Sequence, residues 1–353
     1  MSNRRWFRAG EVLIPLGVLG VLVLADALLP PSLLVTGTFA IAAIVASALT
    51  TVTSTAMVAV AATVMAAASA VWNQNLGTLE WWLRMAVVLL GGVMAVILAA
   101  IRARRARELQ HMTAIAEAAQ RALLRAMPPS IGSLGFAARY VSATAEALVG
   151  GDLYEVAETD NGVRLVVGDV RGKGLDAVQL AATVLTAFRR AARVEPTLTA
   201  VAVDLDDVVT AVAGDEDFVT VVLAEFHEDL SVTLVNCGHH PPLLLGHAQS
   251  GGLVDTGAPE PPLGLHPEPK PTTCQLTQGS RLLFYTDGLV ESRNRDGRFF
   301  PLEDSSDTLG REDLGKALDE LLGQVVDHVG ERVDDDLALV LVERQDGVAS
   351  GIA

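Results

Sequence analysis

The chain is poor in cysteine, and poor in charge where its hydrophobic residues are densest. Its 353 residues include only two cysteines, Cys237 and Cys274. That excludes a cysteine-rich zinc site and a disulfide framework, and it suits a reducing cytoplasm. From Val12 to Val71 the only ionisable residue is Asp26, and a second apolar run covers Leu83 to Ile101. A stretch this long is too extended for a buried core helix or a cleaved signal peptide. A membrane span needs roughly 20 apolar residues. The sequence therefore predicts four spans, over Val12 to Leu29, Leu33 to Thr50, Ser54 to Val71 and Leu83 to Ile101.

Beyond these runs it is basic charge that is scarce. Residues 1–130 hold ten arginines against five acids, whereas the remainder holds 16 Lys+Arg against 37 Asp+Glu. No basic patch survives in that acidic part, which argues against a nucleic-acid binder. The clusters Arg4, Arg5, Arg8 and Arg102, Arg104, Arg105, Arg107 flank the first and last predicted spans. The positive-inside rule places both on the cytoplasmic side, as an even number of spans requires. Trp72, Trp81 and Trp82 bracket an outer loop as interfacial anchors would, and Arg84 can snorkel to the same surface. The expected location is a cell membrane, multi-pass, with the acidic part cytoplasmic.

Several catalytic signatures are also missing. The stretch "GDVRGKGL" has three residues between Gly168 and Gly172, and Gly174 follows Lys173, so it is not a phosphate-binding P-loop. There is no Gly-x-Ser-x-Gly elbow, no kinase motif set and no internal repeat. The pair His239-His240 lacks a third ligand at a recognisable spacing, and adjacent side chains point apart in an extended segment. It reads as a turn beside a site. Cys237 reads as a small buried side chain.

What is present is a set of strand ends that carry aspartate. After Arg107, residues Leu109, Met112, Ala116, Ala119, Leu123 and Ala126 follow a 3-4-3-4-3 spacing, either a short coiled-coil seam or an amphipathic connector, ended by Pro128-Pro129. From Phe136 the pattern turns strand-like. "DLYEVAET" and "VRLVVGD" flank Asp160-Asn161-Gly162, a hairpin signal. With Asn161-Gly162 as the central pair, Asp152 lies opposite Arg171, and Asp169 is diagonal to Asp152 at about 7–8 Å. Helices are expected at Leu175 to Arg193, Thr199 to Val212 and Arg311 to Gly330. Strands are expected at "FVTVVLAEFH", "SVTLVNCG", "PPLLLG", "RLLFYTDG" and after Asp334, Asp335 and Asp336. Mixed strands and helix pairs predict an α+β layered domain. Two carboxylates about 4 Å apart repel by roughly 4 kcal/mol at an effective dielectric of 20. Gathering Asp152, Asp169, Asp287 and the Asp334 to Asp336 run therefore calls for a cation, and all-oxygen donors suit Mg²⁺ or Mn²⁺.

The motifs "ALVGGDLYEV", "VVGDVRGKGLDA", "DFVTVVLAEF", "NCGHHPPLLL", "PPLGL", "LLFYTDGLVESRN" and "DDDLALVLV" resemble, in order, those of the type 2C metal-dependent serine/threonine phosphatases. The match is to their bacterial branch of sporulation stage II E and stress-response regulator phosphatases, over about residues 115–345, and it implies that the membrane is that of a bacterial cell. The resemblance implies a four-layer α/β/β/α sandwich with two Mn²⁺ or Mg²⁺ ions at one edge. It implies that Asp169 bridges the ions, that Asp152, Asp287 and Asp335 ligate them, and that the Val170 carbonyl completes the set. Asp336 and Asp334 remain alternatives to Asp335. Lys173 and Gly174 match the segment leading into the family's switch helix. Glu155 stands where the family often has Asp, Cys237 where it usually has Ala, and His240 fills a variable slot. The implied substrate is a phosphoprotein, a small anti-sigma-factor antagonist. A rival reading is a signalling scaffold that keeps the fold without turnover. The expected organisation is a four-helix transmembrane region over 1–101, a helical linker over 102–130 able to pair in a homodimer, a phosphatase domain over 131–345 and a tail over 346–353.

Overall fold

In a computed structural model the described residues are 3–29, 36–142, 150–214, 216–246, 251–310, 313–330 and 335–345. The chain divides into two compact units, Met1–Leu109 and Gln110–Ala353.

The first unit is helical: α1 (Asn3–Leu28), a 3-10 turn (Thr36–Phe39), α2 (Ala40–Leu49), α3 (Val52–Ala68), α4 (Ala70–Asn73) and the start of α5 (Leu79–Leu123). Small residues such as Ala42, Ala46, Ala62 and Ala66 pack inward around Phe39 and Val58. Large ones such as Val21, Met57, Val60, Leu83 and Leu90 face outward. Two segments, Val52–Asn73 and Leu79–Met112, are long and apolar enough to cross a membrane, whereas Val12–Leu28 and Thr36–Leu49 are shorter apolar helices. Asp26 is buried, and its carboxylate accepts from the Thr36 hydroxyl at 2.8 Å, Trp72 Nε1 at 3.1 Å and Asn73 Nδ2 at 3.0 Å. Three donors answer the cost of burying a charge among apolar helices.

The second unit opens with the end of α5. There follow β1 (Ser130–Ile131), β2 (Leu134–Val141), β3 (Leu153–Thr159), β4 (Gly162–Val170), α6 (Leu175–Val194), α7 (Leu198–Val212), β5 (Val219–Phe226), β6 (Ser231–Cys237), β7 (Leu243–Leu245), β8 (Gly252–Leu253) and β9 (Thr272–Gln275). Last come β10 (Arg281–Tyr285), α8 (Asp287–Val290), α9 (Ser306–Leu309), α10 (Leu314–Val329) and β11 (Leu337–Arg344). The strands form a six-stranded sheet, β1-β2-β11-β10-β7-β8, and a five-stranded sheet, β3-β4-β5-β6-β9.

Alternation along each strand builds the layers. In β11, Ala338, Val340 and Val342 point between the sheets, where they meet Leu165, Val167, Val222 and Ala224. Leu337, Leu339 and Leu341 point the other way, onto Leu318, Leu321 and Val325 of α10. The outer face of the five-stranded sheet, through Val166, Val221 and Leu223, is covered by Val184, Phe188 and Leu205 of α6 and α7. The result is the expected four-layer α/β/β/α sandwich, since each sheet buries one face on its neighbour and the other on helices.

The hairpin register differs from the sequence expectation. Thr159 pairs with Gly162 and Leu153 with Gly168, so Asp160-Asn161 is the central pair. Gly162 starts β4 because a Cβ there would stand 2.4 Å from the Phe226 carbonyl of β5. The close approach of β5 and a positive φ of 128° where the turn enters β4 both require that glycine. The two-residue shift removes Arg171 from opposite Asp152 and puts Asp169 there.

The end of the linker helix is part of this unit. Leu123 and Leu124 pack against the α6/α7 core, and Leu109 and Met112 are exposed. The expected seam positions Ala116 and Ala119 have side chains outside the described residues, as does the whole of Asp334.

Candidate metal centre

Four strand ends converge on one edge of the sandwich. Asp152 immediately precedes β3 and Asp169 lies near the end of β4, while Asp287 follows β10 and Asp335 and Asp336 precede β11. Antiparallel pairing of β3 with β4 and of β10 with β11 brings each pair of ends together. The Thr286 hydroxyl then ties the two sheets by donating to Asp152 Oδ2 at 2.8 Å, while it accepts the Ala338 amide at 2.9 Å. Asp152, Asp169, Asp287, Asp335, Asp336 and the backbone of Val170 line a pocket of about 380 Å³, with Arg171, Lys173, His239 and His240 on its walls.

The carboxylates differ in exposure and in role. Asp152 is buried, and its carboxyl is held well above the ordinary aspartate range by burial and by Asp169 beside it, against the Thr286 hydrogen bond. Asp169 is pushed up to about 7 by burial and by Asp287, Asp335 and Asp336, partly offset by its hydrogen bond with Asp152. Burial and Asp335 also raise Asp287. Asp336 is buried and already engaged. It accepts from the Tyr140 hydroxyl at 2.7 Å and from the Gly150 amide at 2.5 Å, and a Cβ on Gly150 would collide with it at 2.3 Å. Asp335 instead reaches the open pocket, where Lys173 Nζ lies 2.7 Å from its Oδ1.

The histidine pair is a turn beside the site, with a further job for one member. His239 is buried between the sheets' ends. The Tyr285 carbonyl, 3.1 Å from Nε2, can only accept, so Nε2 carries the proton and Nδ1 accepts from the Thr220 hydroxyl at 2.9 Å. Burial, with His240 adding, depresses this imidazole to about 3, so it is neutral. Tyr285 lies two residues before Asp287, and Thr220 pairs with Asp169 across the ladder. His239 therefore fixes the spacing between two of the aspartate-bearing segments. The His240 ring stacks on Tyr285 at 5.9 Å. Cys237 is buried, as expected, and burial pushes its thiol up to about 12.

Two contacts from α5 reach the same region. Gln120, buried, donates from Nε2 to the Asp152 carbonyl at 3.4 Å. Arg189 of α6 donates to the Leu123 carbonyl at 3.2 Å and to Glu155 Oε2 at 2.8 and 2.5 Å. Glu155, the departure from the family pattern, thus serves an ion pair with α6 away from the pocket. Sequence reasoning missed Thr286, Tyr140, Gln120 and Arg189, because their hydrogen bonds join segments far apart in the chain.

The donor set fits a hard divalent cation. Every carboxylate on the pocket is an oxygen ligand, and Asp152, Asp169 and Asp287 are held protonation-prone by burial and by their neighbours' charge, the second of which a cation relieves. Among the described residues no three His, Cys, Asp or Glu side chains close on a single point. Mg²⁺-type ions keep several waters and need only one or two carboxylates each, so an open rim of acids is the form such a site takes.

The profile of the stage II sporulation protein E (SpoIIE) family matches residues 159–345. Among solved structures, the chain is similar to the RsbU and RsbW domains of a Mycobacterium tuberculosis protein, at 24% identity and TM-score 0.53 over 62% of this chain. The chain spans 62% of the length of that structure. It is also similar to the SiaA PP2C domain of Pseudomonas aeruginosa, at 17% identity and TM-score 0.56, over 70% of this chain and 100% of that one. These two likenesses establish the fold, and the profile, which spans more than half the chain and includes Asp169, Asp287, Asp335 and Asp336, establishes the family. The chain belongs to the SpoIIE family, and its second unit has the fold of a PP2C domain.

Proposed function

We propose that the protein is a membrane-anchored phosphatase that hydrolyses phosphoserine or phosphothreonine on a cytoplasmic regulatory protein with two Mn²⁺ or Mg²⁺ ions. The observation that carries this reading is the Asp152–Asp169 pair, buried at Asp152 and half-buried at Asp169, opened onto one pocket with Asp287 and Asp335. A fold that keeps such a pair without using it carries a standing electrostatic cost.

Asp152, Asp169, Asp287 and Asp335, with the Val170 carbonyl, would hold the ions. Bound there, they supply an activated water and charge neutralisation on the phosphoryl oxygens. Asp336 is assigned to the frame, since Tyr140 and Gly150 already use its carboxylate. Thr286 orients Asp152, and neutral His239 holds the Tyr285 and Thr220 segments at fixed separation. The ester bond that breaks is phosphorus to serine or threonine oxygen, with water supplying the new phosphate oxygen.

Two long apolar segments, an outward apolar face and the flanking arginines support anchoring by the first unit, with the four predicted spans and the 102–130 linker as its organisation. The partner class that fits the family is a small anti-sigma-factor antagonist carrying a phosphoserine. The full chain in lipid nanodiscs, given a phosphoserine protein of this class, should release phosphate only with Mn²⁺ or Mg²⁺. Release that persists in excess chelator contradicts the reading.

A further inference from the structure

Lys173 stands between β4 and α6, on the wall of the acidic pocket. Its Nζ lies 2.7 Å from Asp335 Oδ1, the same oxygen that accepts the Asp336 amide at 2.9 Å. The two side chains are 39% and 46% exposed. An ion pair this open to water is weak and readily exchanged. The other cation on this wall, Arg171, donates from Nη1 to the Glu216 carbonyl and lies over the Phe218 ring at 5.4 Å.

Lys173 therefore holds an oxygen that a divalent ligand set would use, with a single positive charge on a flexible stem. A divalent ion at Asp335 would bring twice that charge and would compete with the ammonium for the oxygen. The freed group would stay on the pocket wall, since the backbone of Lys173 runs directly into α6. A phosphate ester arriving there carries negative charge into a pocket lined by five aspartates, and an ammonium group facing it answers that repulsion.

We propose that Lys173 exchanges partners: it holds Asp335 in the metal-free chain and binds a phosphoryl oxygen of the phosphoserine or phosphothreonine substrate once a divalent cation has taken Asp335. The proposal rests on the phosphatase reading above and assigns a substrate-binding residue to it.

The test uses the full chain in nanodiscs with Lys173→Gln and Lys173→Arg, thermal melting confirming that both fold. Mn²⁺ affinity is read by calorimetry. Phosphate affinity is read from inhibition by inorganic phosphate and from KM for a phosphoserine peptide. Removing the competing ammonium should tighten Mn²⁺ binding to Lys173→Gln by about two- to fivefold. Removing the phosphoryl partner should raise KM, and weaken inhibition by phosphate, by about tenfold. Lys173→Arg, which keeps the charge, should resemble the wild type in both. A merely structural lysine would weaken metal and phosphate binding together. Unchanged or weaker Mn²⁺ affinity in Lys173→Gln overturns the proposal, as does an unchanged KM, or an arginine variant that behaves like the glutamine one. If the wild type releases no phosphate from the peptide, the phosphatase reading fails instead, and the Mn²⁺ titration still reports on the Lys173–Asp335 pair.

Discussion

Asp152 and Asp169 face each other across the open end of the β3–β4 hairpin, one step beyond the Leu153–Gly168 pair, with the Val170 amide donating to the Gly151 carbonyl at 3.4 Å. Directly opposed acids destabilise a hairpin. Here Asp152 is also buried and Asp169 half-buried, and this loss of water, with the neighbouring acids, raises Asp169 to about 7 and Asp152 above the ordinary range.

A dependence of stability on pH follows from that pair. The Asp169 carboxyl has a folded-state pKa near 7 against an ordinary value of 3.8, so the folded metal-free chain binds the proton more tightly than the unfolded one. The resulting stability is fully present below about pH 4 and is lost as pH rises through about 7. Protons and metal compete for the same oxygens, so the gain in Tm on adding Mn²⁺ should be larger at pH 8 than at pH 6. Melting curves with chelator and with Mn²⁺ at both pH values check this, with Asp169→Asn as the control in which the difference shrinks. Equal gains at both pH values would remove Asp169 from the site.

Thr286→Val keeps the shape of a buried residue but deletes the hydroxyl that serves Asp152 and Ala338. The Ala338 amide then lacks that partner, costing about 1–3 kcal/mol. Mn²⁺ affinity should also fall, because the orientation of Asp152 is no longer fixed. Denaturant unfolding and calorimetric titration measure the two effects, and an unchanged Mn²⁺ affinity would show that Thr286 only joins the sheets.

Arg189→Ala should destabilise the second unit by about 2–3 kcal/mol, because it leaves the buried Glu155 without its ion-pair partner. It also frees the Leu123 carbonyl at the end of α5. Amide exchange should therefore rise locally around residues 120–124 and at the start of β3, where Gln120 touches the Asp152 carbonyl. Exchange confined to α6 would mean that the end of α5 is held by Leu123 and Leu124 packing alone.

Membrane topology gives an independent check. Reporters active on only one side of the membrane, fused after Gly77 and after Ile101, should report opposite sides, with the Ile101 fusion cytoplasmic. The same side for both would end the four-span reading.

Much of this was legible in the sequence, for identifiable reasons. The alternation in "LALVLVER" and the length of the α6 and α7 patterns specify layers, since burial on two faces leaves a periodic trace. The acids at strand ends stood out because Asp is depleted within strands. The register of the hairpin was not legible. Asn161-Gly162 is a favoured central turn pair, but the glycine stands one place later, where a positive φ and the Phe226 carbonyl of β5, a contact distant in sequence, both require it. Adjacent Asp335 and Asp336 look alike in a string, and only their partners, Lys173 for one and Tyr140 with Gly150 for the other, separate them. The short edge strands β8 and β9 have too few residues to show a period.

The most direct test is a Mn²⁺ titration of the full chain in nanodiscs, with phosphate release from a phosphoserine protein followed on the same sample, for the wild type and Asp169→Asn. Losing the carboxylate shared by the site should abolish turnover while the fold and membrane insertion persist. The account predicts two ions per wild-type chain, a rate that rises with their binding, and neither full occupancy nor turnover in Asp169→Asn. Turnover that is indifferent to chelator, or an Asp169→Asn variant that turns over at the wild-type rate, would contradict it.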